Sequence, residues 1–444
     1  DKIIHLGIPE DVFQLEHDIY NICLEQRDYG FPFDMDKAMT FHRKLLDHKK
    51  RLVKVIDELL GGPFVVNLGE RVPKRTITYK DPLMASRTEG RPYTALKIVD
   101  FNANSRTHVG TRLVERIGWE PKEHDANGHP NVNEDTIKTI NHPIKESLDE
   151  YFMVEKRLAS LCNGPQAWMK VLGSDGRIHG TTNTMGTGTS RCTHVKPNMS
   201  QIPKTSLPYG KDCRGLFGPG HPDWLVFDTD LSGIELRVMA HYMFPWDKGA
   251  YADIILNGDI HTANQEAAGL PTRDLAKTFI YAKIYGSGVK GLADTCGMSF
   301  GKMKKIIANF ERNLKALSIL TNLVKEKCRT QGYVKGLDGR IVPTRSEHSA
   351  LNFLFQSAGA IISKRWTVEA RKLMDTRGYI HGVHYAQVAF IHDQYDYVFD
   401  PKVMTGEELG EISKKALEIT RQAYGIRMPL DIGWSVGKDF SEVH

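Results

Sequence analysis

Apolar residues recur at helical spacing through Glu16–Leu60, in DIYNICLEQ and again in MTFHRKLLDHKKRLVKVIDELL, with GFPFD as the break. The basic run His48-Lys49-Lys50-Arg51 falls on the polar side of the second helix. It reads either as a solvated face or as a phosphate contact. Gly61–Asn104 changes character, with several prolines and glycines and with Arg71, Lys74, Arg75, Lys80, Arg87 and Arg91 against Asp81 and Glu89. That pattern predicts an irregular or hairpin-like basic insertion, a flap over nucleic acid or an idle surface loop. Helical spacing resumes over Ile137–Leu161. The tract HGTTNTMGTGTSRCTH, running on to KPNMSQIP, is too rich in threonine and glycine for a core and predicts a backbone-tracking loop.

Period-two and continuous apolar runs dominate the next elements. Asp223–Asp230 (DWLVFDTD) predicts a buried strand that delivers carboxylates at its C-terminal end. SGIELRVMAHYM predicts a helix with Ser232 as N-cap. Asp247–Gln331 reads as helices interrupted near PTRD and GSGVKGL, and Asn352–Thr376 as one long helix. Gln387–Phe399 reads as a hairpin around a polar turn, and MPLDIGWSVG as a closing strand. No repeat of solenoid or propeller period is present.

Composition narrows the class. The 444 residues suffice for two to four packed units. With 41% hydrophobic and 25% charged residues, disordered, collagenous and coiled-coil architectures are not expected. No apolar run reaches membrane-spanning length, so no membrane partner is expected. Six scattered cysteines (Cys23, Cys162, Cys192, Cys213, Cys296, Cys328) form no CxxC pair, which argues against a zinc ribbon or disulfide framework and for thiols in a reducing cytosol. The net charge, 59 − 54 = +5, suits a polyanionic partner without demanding one. The chain opens at Asp1 rather than Met, without a signal-peptide block, and reads as a fragment or processed product.

The acids carry the chemistry. Asp228 and Asp230 close one strand, and Asp393, beside His392, tips a hairpin. Strand-end carboxylates brought together form a negative pocket of hard oxygens, suited to Mg²⁺ or Mn²⁺; the alternative is that each is an ordinary turn or cap residue. Two such ions about 3.5–4 Å apart activate an attacking hydroxyl and stabilise a leaving phosphate oxygen. Arg273, Lys277, Tyr281 and Tyr285 are spaced by four, so they fan across one broad helix face about 18 Å long. Cations at one end and aromatic rings at the other match a nucleoside triphosphate laid along the helix. The alternative is an ordinary amphipathic helix with its tyrosines on the core side.

DTDLSGIELRVMAH, RDLAKTFIYAKIYG and HDQ resemble the three signature segments of family A DNA polymerases, the bacterial polymerase I class. SRCTHVKPNMSQIP and NFLFQSAGA resemble two further blocks. GDIHTANQEAAGLPTRDLAKTFIYAKIYGSG is most similar to replicative polymerases of short-tailed phages of the T-seven type. The resemblance runs from about EQRDYGFPFD to the terminal residue and implies an α/β (α+β) right-hand fold with thumb, antiparallel-sheet palm and helical fingers. The expected boundaries are 1–170 for N-terminal helices and thumb with the basic insertion near 61–104, 171–246 for the first part of the palm, 247–335 for the fingers and 336–444 for the second part of the palm.

The same resemblance implies roles for individual residues. Asp230, Asp393 and the backbone carbonyl of Leu231 would hold two Mg²⁺ ions, with Mn²⁺ able to substitute. Arg273 and Lys277 would hold the triphosphate, with Lys277 protonating the pyrophosphate, and His261 would contact phosphate. Glu235 falls on the steric gate against ribonucleotides. Tyr281 falls where tyrosine permits dideoxynucleotides, and Tyr285 at the templating-base site. Arg191, Asn352, Gln356 and His392 would line the primer–template, with Gln394 beside the primer end. The implied activity is template-directed addition of dNTPs to a primer 3′-hydroxyl by a monomer, for phage genome replication in a bacterial host cytoplasm.

Two departures from the family stand out. The hairpin reads HDQ where the family usually has HDE, so Gln394 replaces a third carboxylate. Activity is expected to survive with altered metal or primer-end binding; the alternative is a catalytically weakened primer–template-binding protein. The 61–104 tract is shorter than the thumb insertion by which the coliphage enzyme captures thioredoxin, so thioredoxin dependence is not carried over, and a clamp-like flap is the alternative. The family's proofreading domain would lie upstream of Asp1, so no 3′–5′ exonuclease is expected in this chain. A single-subunit RNA polymerase shares the palm, but Glu235 and the Arg273–Tyr285 spacing argue for the DNA enzyme.

Overall fold

The apolar segment LVFDTDL forms a strand, Leu225–Leu231, whose residues Val226 to Thr229 are all buried. In the computed structural model, which describes residues 7–80, 85–126 and 128–443, this strand sits inside a four-stranded antiparallel sheet. The spatial order is Tyr385–Ile391, Gln394–Phe399, Leu225–Leu231, Ile432–Gly437. The hairpin and the closing strand thus flank the acid-bearing strand. A strand buried on both faces must be covered on both sides. The helix Gly406–Ala423 packs so close to the last strand that a Cβ at Gly410 would stand 2.7 Å from the Trp434 ring. The helix Ala350–Thr376 supplies Trp366, which packs on Tyr395 with centroids 4.3 Å apart and donates through its indole N–H to the Ser413 carbonyl.

The chain divides into two compact units, one made of residues up to Lys37 with those from Trp168 onward, the other of Ala38–Ala167. The first unit holds the sheet, the helix Glu10–Tyr29 and a run of helices, Ile234–Asp247, Ala250–Asn257, Ile260–Ala268, Arg273–Ile284, Val289–Thr295, Phe300–Asn313 and Lys315–Gln331. Its core is knotted by a buried ion network. Glu16 accepts from Lys364 through both oxygens at 2.7 Å and from Arg340 at 2.6 Å, while Arg340 also grips Asp338. Among the described residues no helix is long and apolar enough to cross a membrane. None of the six cysteines forms a disulfide.

The second unit contains most of the helix Met35–Leu60, the strands Pro63–Arg71 and Tyr93–Asp100 paired as an antiparallel ribbon, and the helices Arg106–Ile117 and Ile144–Leu158. The basic insertion is therefore hairpin-like; its Asp81, with the rest of 81–84, lies outside the described residues. The ribbon exposes Val65, Leu68, Leu96 and Ile98 as well as its cations. The His48–Arg51 run is tied down locally: His48 lies 2.9 Å from Glu150 and Lys49 2.7 Å from Glu155. These pairs favour the structural reading of that run.

Three local expectations are corrected. The helix expected from Ile137 starts at Ile144, just after Pro143, whose fixed φ suits a helix start, and it ends in a wider turn over Ala159–Asn163. Ser232 does not cap the helix after the acid strand. Gly233 does, at φ 57°, while Ser232 N–H donates to the Asp431 carbonyl. The threonine-rich tract is a short hairpin, Thr181–Asn183 against Thr193–Val195, with Thr182, Thr184, Thr189 and Ser190 buried. Threonine hydroxyls tolerate burial when each finds a partner, as Thr189 does on Gln356.

Candidate active site

Asp230 is the last acid of its strand and the one that emerges from it. Its backbone is paired with Gln394 on one side and Gly433 on the other, and its side chain is exposed. A Cβ at position 433 would stand 2.9 Å from the Asp230 carboxylate oxygen, so the glycine leaves that oxygen its space. One residue on, Leu231 N–H donates to the Asp393 carbonyl at 3.0 Å. The two acids, remote in sequence, thus meet at the ends of the two inner strands of the sheet. The hairpin tip that carries Asp393 is set by His392, a non-glycine residue at φ 58°, whose carbonyl accepts from Ser363 at 2.7 Å.

The Asp393 carboxyl is pushed up to about 6. Burial is the main cause; Glu235 and, less strongly, Asp230 add to it, and Arg191 opposes them. A pocket that disfavours its own negative charge in this way, lined by hard oxygens, fits a divalent cation. Among the described residues no group of three or more His, Cys, Asp or Glu is arranged as a metal cage.

Glu235 lies in the first turn of the next helix and is fixed from outside. Tyr285 donates to its Oε1 at 2.6 Å, and Arg191 lies 3.6 Å from the same oxygen. Burial, then this carboxylate, holds the Tyr285 hydroxyl up to about 12. Burial together with Glu235 and Asp393 also raises the Tyr281 hydroxyl, which places both tyrosines beside the acids. Burial, then Arg191, lowers the basicity of His392, with Glu235 opposing.

The helix Arg273–Ile284 explains how cations reach the same region. Thr272 caps it by accepting from Leu275 N–H, and Ala276, Phe279, Ile280 and Ile284 bury one face, with Phe279 edge-on to Phe310. Arg273 and Lys277 are consequently exposed and Tyr281 half-buried. Arg273 is gripped through its Nε and Nη2 by Asp259, at 2.5 and 3.2 Å. Asp259 is itself the N-cap of Ile260–Ala268, accepting from the His261 and Thr262 amides. That edge-on grip leaves the outer guanidinium edge for an anion. The His261 ring lies 6.2 Å from Tyr281, and burial plus the charges of Arg273 and Lys277 lower its basicity.

Asn352 and Gln356 lie four apart on the helix Ala350–Thr376, on one face. Asn352 packs against Gly286, and its Oδ1 is buried without a partner, an acceptor in want of a donor. Gln394 departs from its expected place on the primer end. Its side chain is buried because its amide is tied to two aspartates below the surface. Asp228 likewise belongs to this interior and not to the open pocket. Sequence reasoning missed Asp396, fully buried beside Asp228, and Arg214, whose charge faces both. The period-two spacing of Asp228 from Asp230 and of Asp396 from Gln394 was the available signal.

Residues 84–442 match the profile of DNA polymerase family A. The chain is 32% identical to the DNA-directed DNA polymerase of Enterobacteria phage T3 and to that of Escherichia phage T7, over 98% of its own length and 70% of theirs. DNA polymerase I of Geobacillus stearothermophilus is 25% identical over 76% of the chain and 39% of that protein. Among solved structures, the POL domain of Pol1 from M. smegmatis, in complex with DNA primer-template and dNTP, is similar in fold, with a TM-score of 0.76 at 17% identity, covering 96% of this chain and 70% of that one.

Proposed function

Because this chain belongs to DNA polymerase family A and is a template-directed DNA polymerase, we propose that Asp230 and Asp393 are the pair around which its nucleotidyl transfer is built. The observation that carries this assignment is the 3.0 Å hydrogen bond from Leu231 to Asp393, which locks the two acid-bearing strand ends together.

The family is metal-dependent, and the oxygen donors here fit Mg²⁺, with Mn²⁺ as a substitute. When bound, two ions would activate the primer 3′-hydroxyl and neutralise charge on the reacting phosphate. Asp230, Asp393 and the Leu231 carbonyl would hold them. Arg273 and Lys277 take the triphosphate along their exposed helix face, and Lys277 gives a proton to the departing pyrophosphate. His261, whose basicity burial and then the charges of Arg273 and Lys277 lower, contacts a phosphate oxygen as a hydrogen-bond donor. Glu235 walls off the 2′ position, Tyr281 closes the 3′ side, and Tyr285 borders the templating base. Arg191, His392, Asn352 and Gln356 line the primer–template. The amide N–H2 groups of Asn352 and Gln356 suit a minor-groove role, since groove acceptors, which take N–H donors, are common to all base pairs.

In this reading 1–170 contains the thumb, 171–246 and 336–444 the palm, and 247–335 the fingers. The enzyme works as a monomer in phage genome replication, in the bacterial host cytoplasm, with the basic ribbon as a small clamp over DNA. The central test is primer extension in Mg²⁺ by Asp230→Asn and Asp393→Asn. Both should lose extension while still binding primer–template; undiminished extension by either overturns the assignment.

A further inference from the structure

Behind Asp230 and Asp393 lies a polar cluster that the chemistry above does not use. Asp228 is 4% exposed, Asp396 is fully buried, and Gln394 is 8% exposed. Asp396 pairs with Asp228, and Gln394 with Asp230, in the register of two neighbouring strands, so all four side chains start from one face of the sheet. The Gln394 amide nitrogen donates to Asp228 Oδ2 and, at 2.9 and 3.1 Å, to both oxygens of Asp396. The amide nitrogen faces three carboxyl oxygens that can accept N–H, while burial and the neighbouring Asp228 push the Asp396 carboxyl up. The Arg214 guanidinium, also buried, faces the same pair.

The family usually has glutamate where this chain has Gln394. A glutamate here would lack the amide N–H2 and would add a third acid to two buried ones. We propose that Gln394, Asp228 and Asp396 form a single interstrand clamp that positions Asp230 and Asp393, and that glutamine is required at 394 because of the two buried aspartates. The clamp joins the strands at the last registered pair before the hairpin tip. Asp393 immediately precedes Gln394, and Asp230 lies two residues beyond Asp228. Loosening this tie moves the two acids relative to one another, where a shift of a fraction of an ångström matters for chemistry. The three are positioning residues. The inference rests on the assignment of Asp230 and Asp393 proposed above.

The test reverses the usual expectation by restoring the family's carboxylate. Gln394→Glu should lower kcat for primer extension by roughly tenfold or more and raise the Mg²⁺ concentration for half-maximal rate, with the dNTP KM changed by less than about twofold. It should also lower the melting temperature of the ligand-free protein. Combining Gln394→Glu with Asp396→Asn returns an amide donor and removes one charge, so both kcat and melting temperature should recover. Gln394→Glu with Asp228→Asn is a second rescue pair. A Gln394→Glu protein as active and stable as wild type, or double variants no better than the single, overturns the clamp; if the single variant fails to fold, folding of either double variant supports it and failure of both overturns it. The melting-temperature rescue reports the clamp without any chemistry. Extension by Asp230→Asn separately reports failure of the underlying assignment.

Discussion

The Tyr285 hydroxyl donates a 2.6 Å hydrogen bond to Glu235, and Arg191 stands 3.6 Å from the same carboxylate oxygen. Glu235 is thereby held as a fixed wall instead of a mobile side chain. Glu235→Ala should admit ribonucleotides, lowering the dNTP-to-rNTP ratio of kcat/KM by about 100-fold or more, whereas Tyr285→Phe, which keeps the ring at the templating base and frees the wall, should lower it by about threefold to tenfold. Single-nucleotide incorporation on a defined primer–template measures both. An unchanged ratio in Glu235→Ala would place the discrimination elsewhere.

Asp393 links catalysis to stability with a definite sign. Its native carboxyl titrates at about 6, above the ordinary value of 3.8. Between those values the native state binds more protons than the unfolded chain, so its contribution to stability is fully present at low pH and is lost as pH rises through about 6. Asp393→Asn should therefore stabilise the metal-free protein by on the order of 2 kcal/mol near pH 8 and hardly at all near pH 4. The same variant should not extend primers. Denaturant unfolding at the two pH values checks this, and an equal gain at both would contradict it.

Asp259 holds Arg273 by one edge of its guanidinium while capping the neighbouring helix. Asn caps as well as Asp does but carries no charge. Asp259→Asn should raise the dNTP KM by roughly threefold to tenfold and leave kcat within about twofold. The exposed pair adds little to stability, so the unfolding midpoint should barely move. Steady-state kinetics with varied dNTP reads the split; an unchanged KM would show that Arg273 needs no such partner.

Lys364, 1% exposed, depends on Glu16 for its counter-charge. Glu16→Ala would strand that ammonium in the core and should cost about 3–5 kcal/mol in urea unfolding. Adding Lys364→Met removes the stranded charge and should recover much of the loss. A double variant as unstable as the single would mean that Glu16 acts through Arg340 alone.

Much of this architecture was legible along the chain. The short apolar run ending in Asp-Thr-Asp reads as a strand delivering acids, and the four-residue spacing of Arg273, Lys277, Tyr281 and Tyr285 puts them on one broad helix face. Illegible features were those set by partners distant in sequence. Thr189 is buried because Gln356 meets its hydroxyl, and nothing local to a threonine-rich tract announces that. Gln394 looked like a weakened acid because its neighbours Asp228 and Asp396 come together only when two strands pair. Asp259 reads as an ordinary helix cap until Arg273, fourteen residues on, folds back to it.

Gly433 has no chemistry of its own, yet it borders the Asp230 carboxylate at a distance that no β-carbon tolerates. The reach of an acid near the middle of the chain is thus written into a vacancy close to its end. Catalytic competence here is partly a matter of missing atoms, and a survey that weighs only reactive groups would pass over the position that gives the reactive group its freedom to turn.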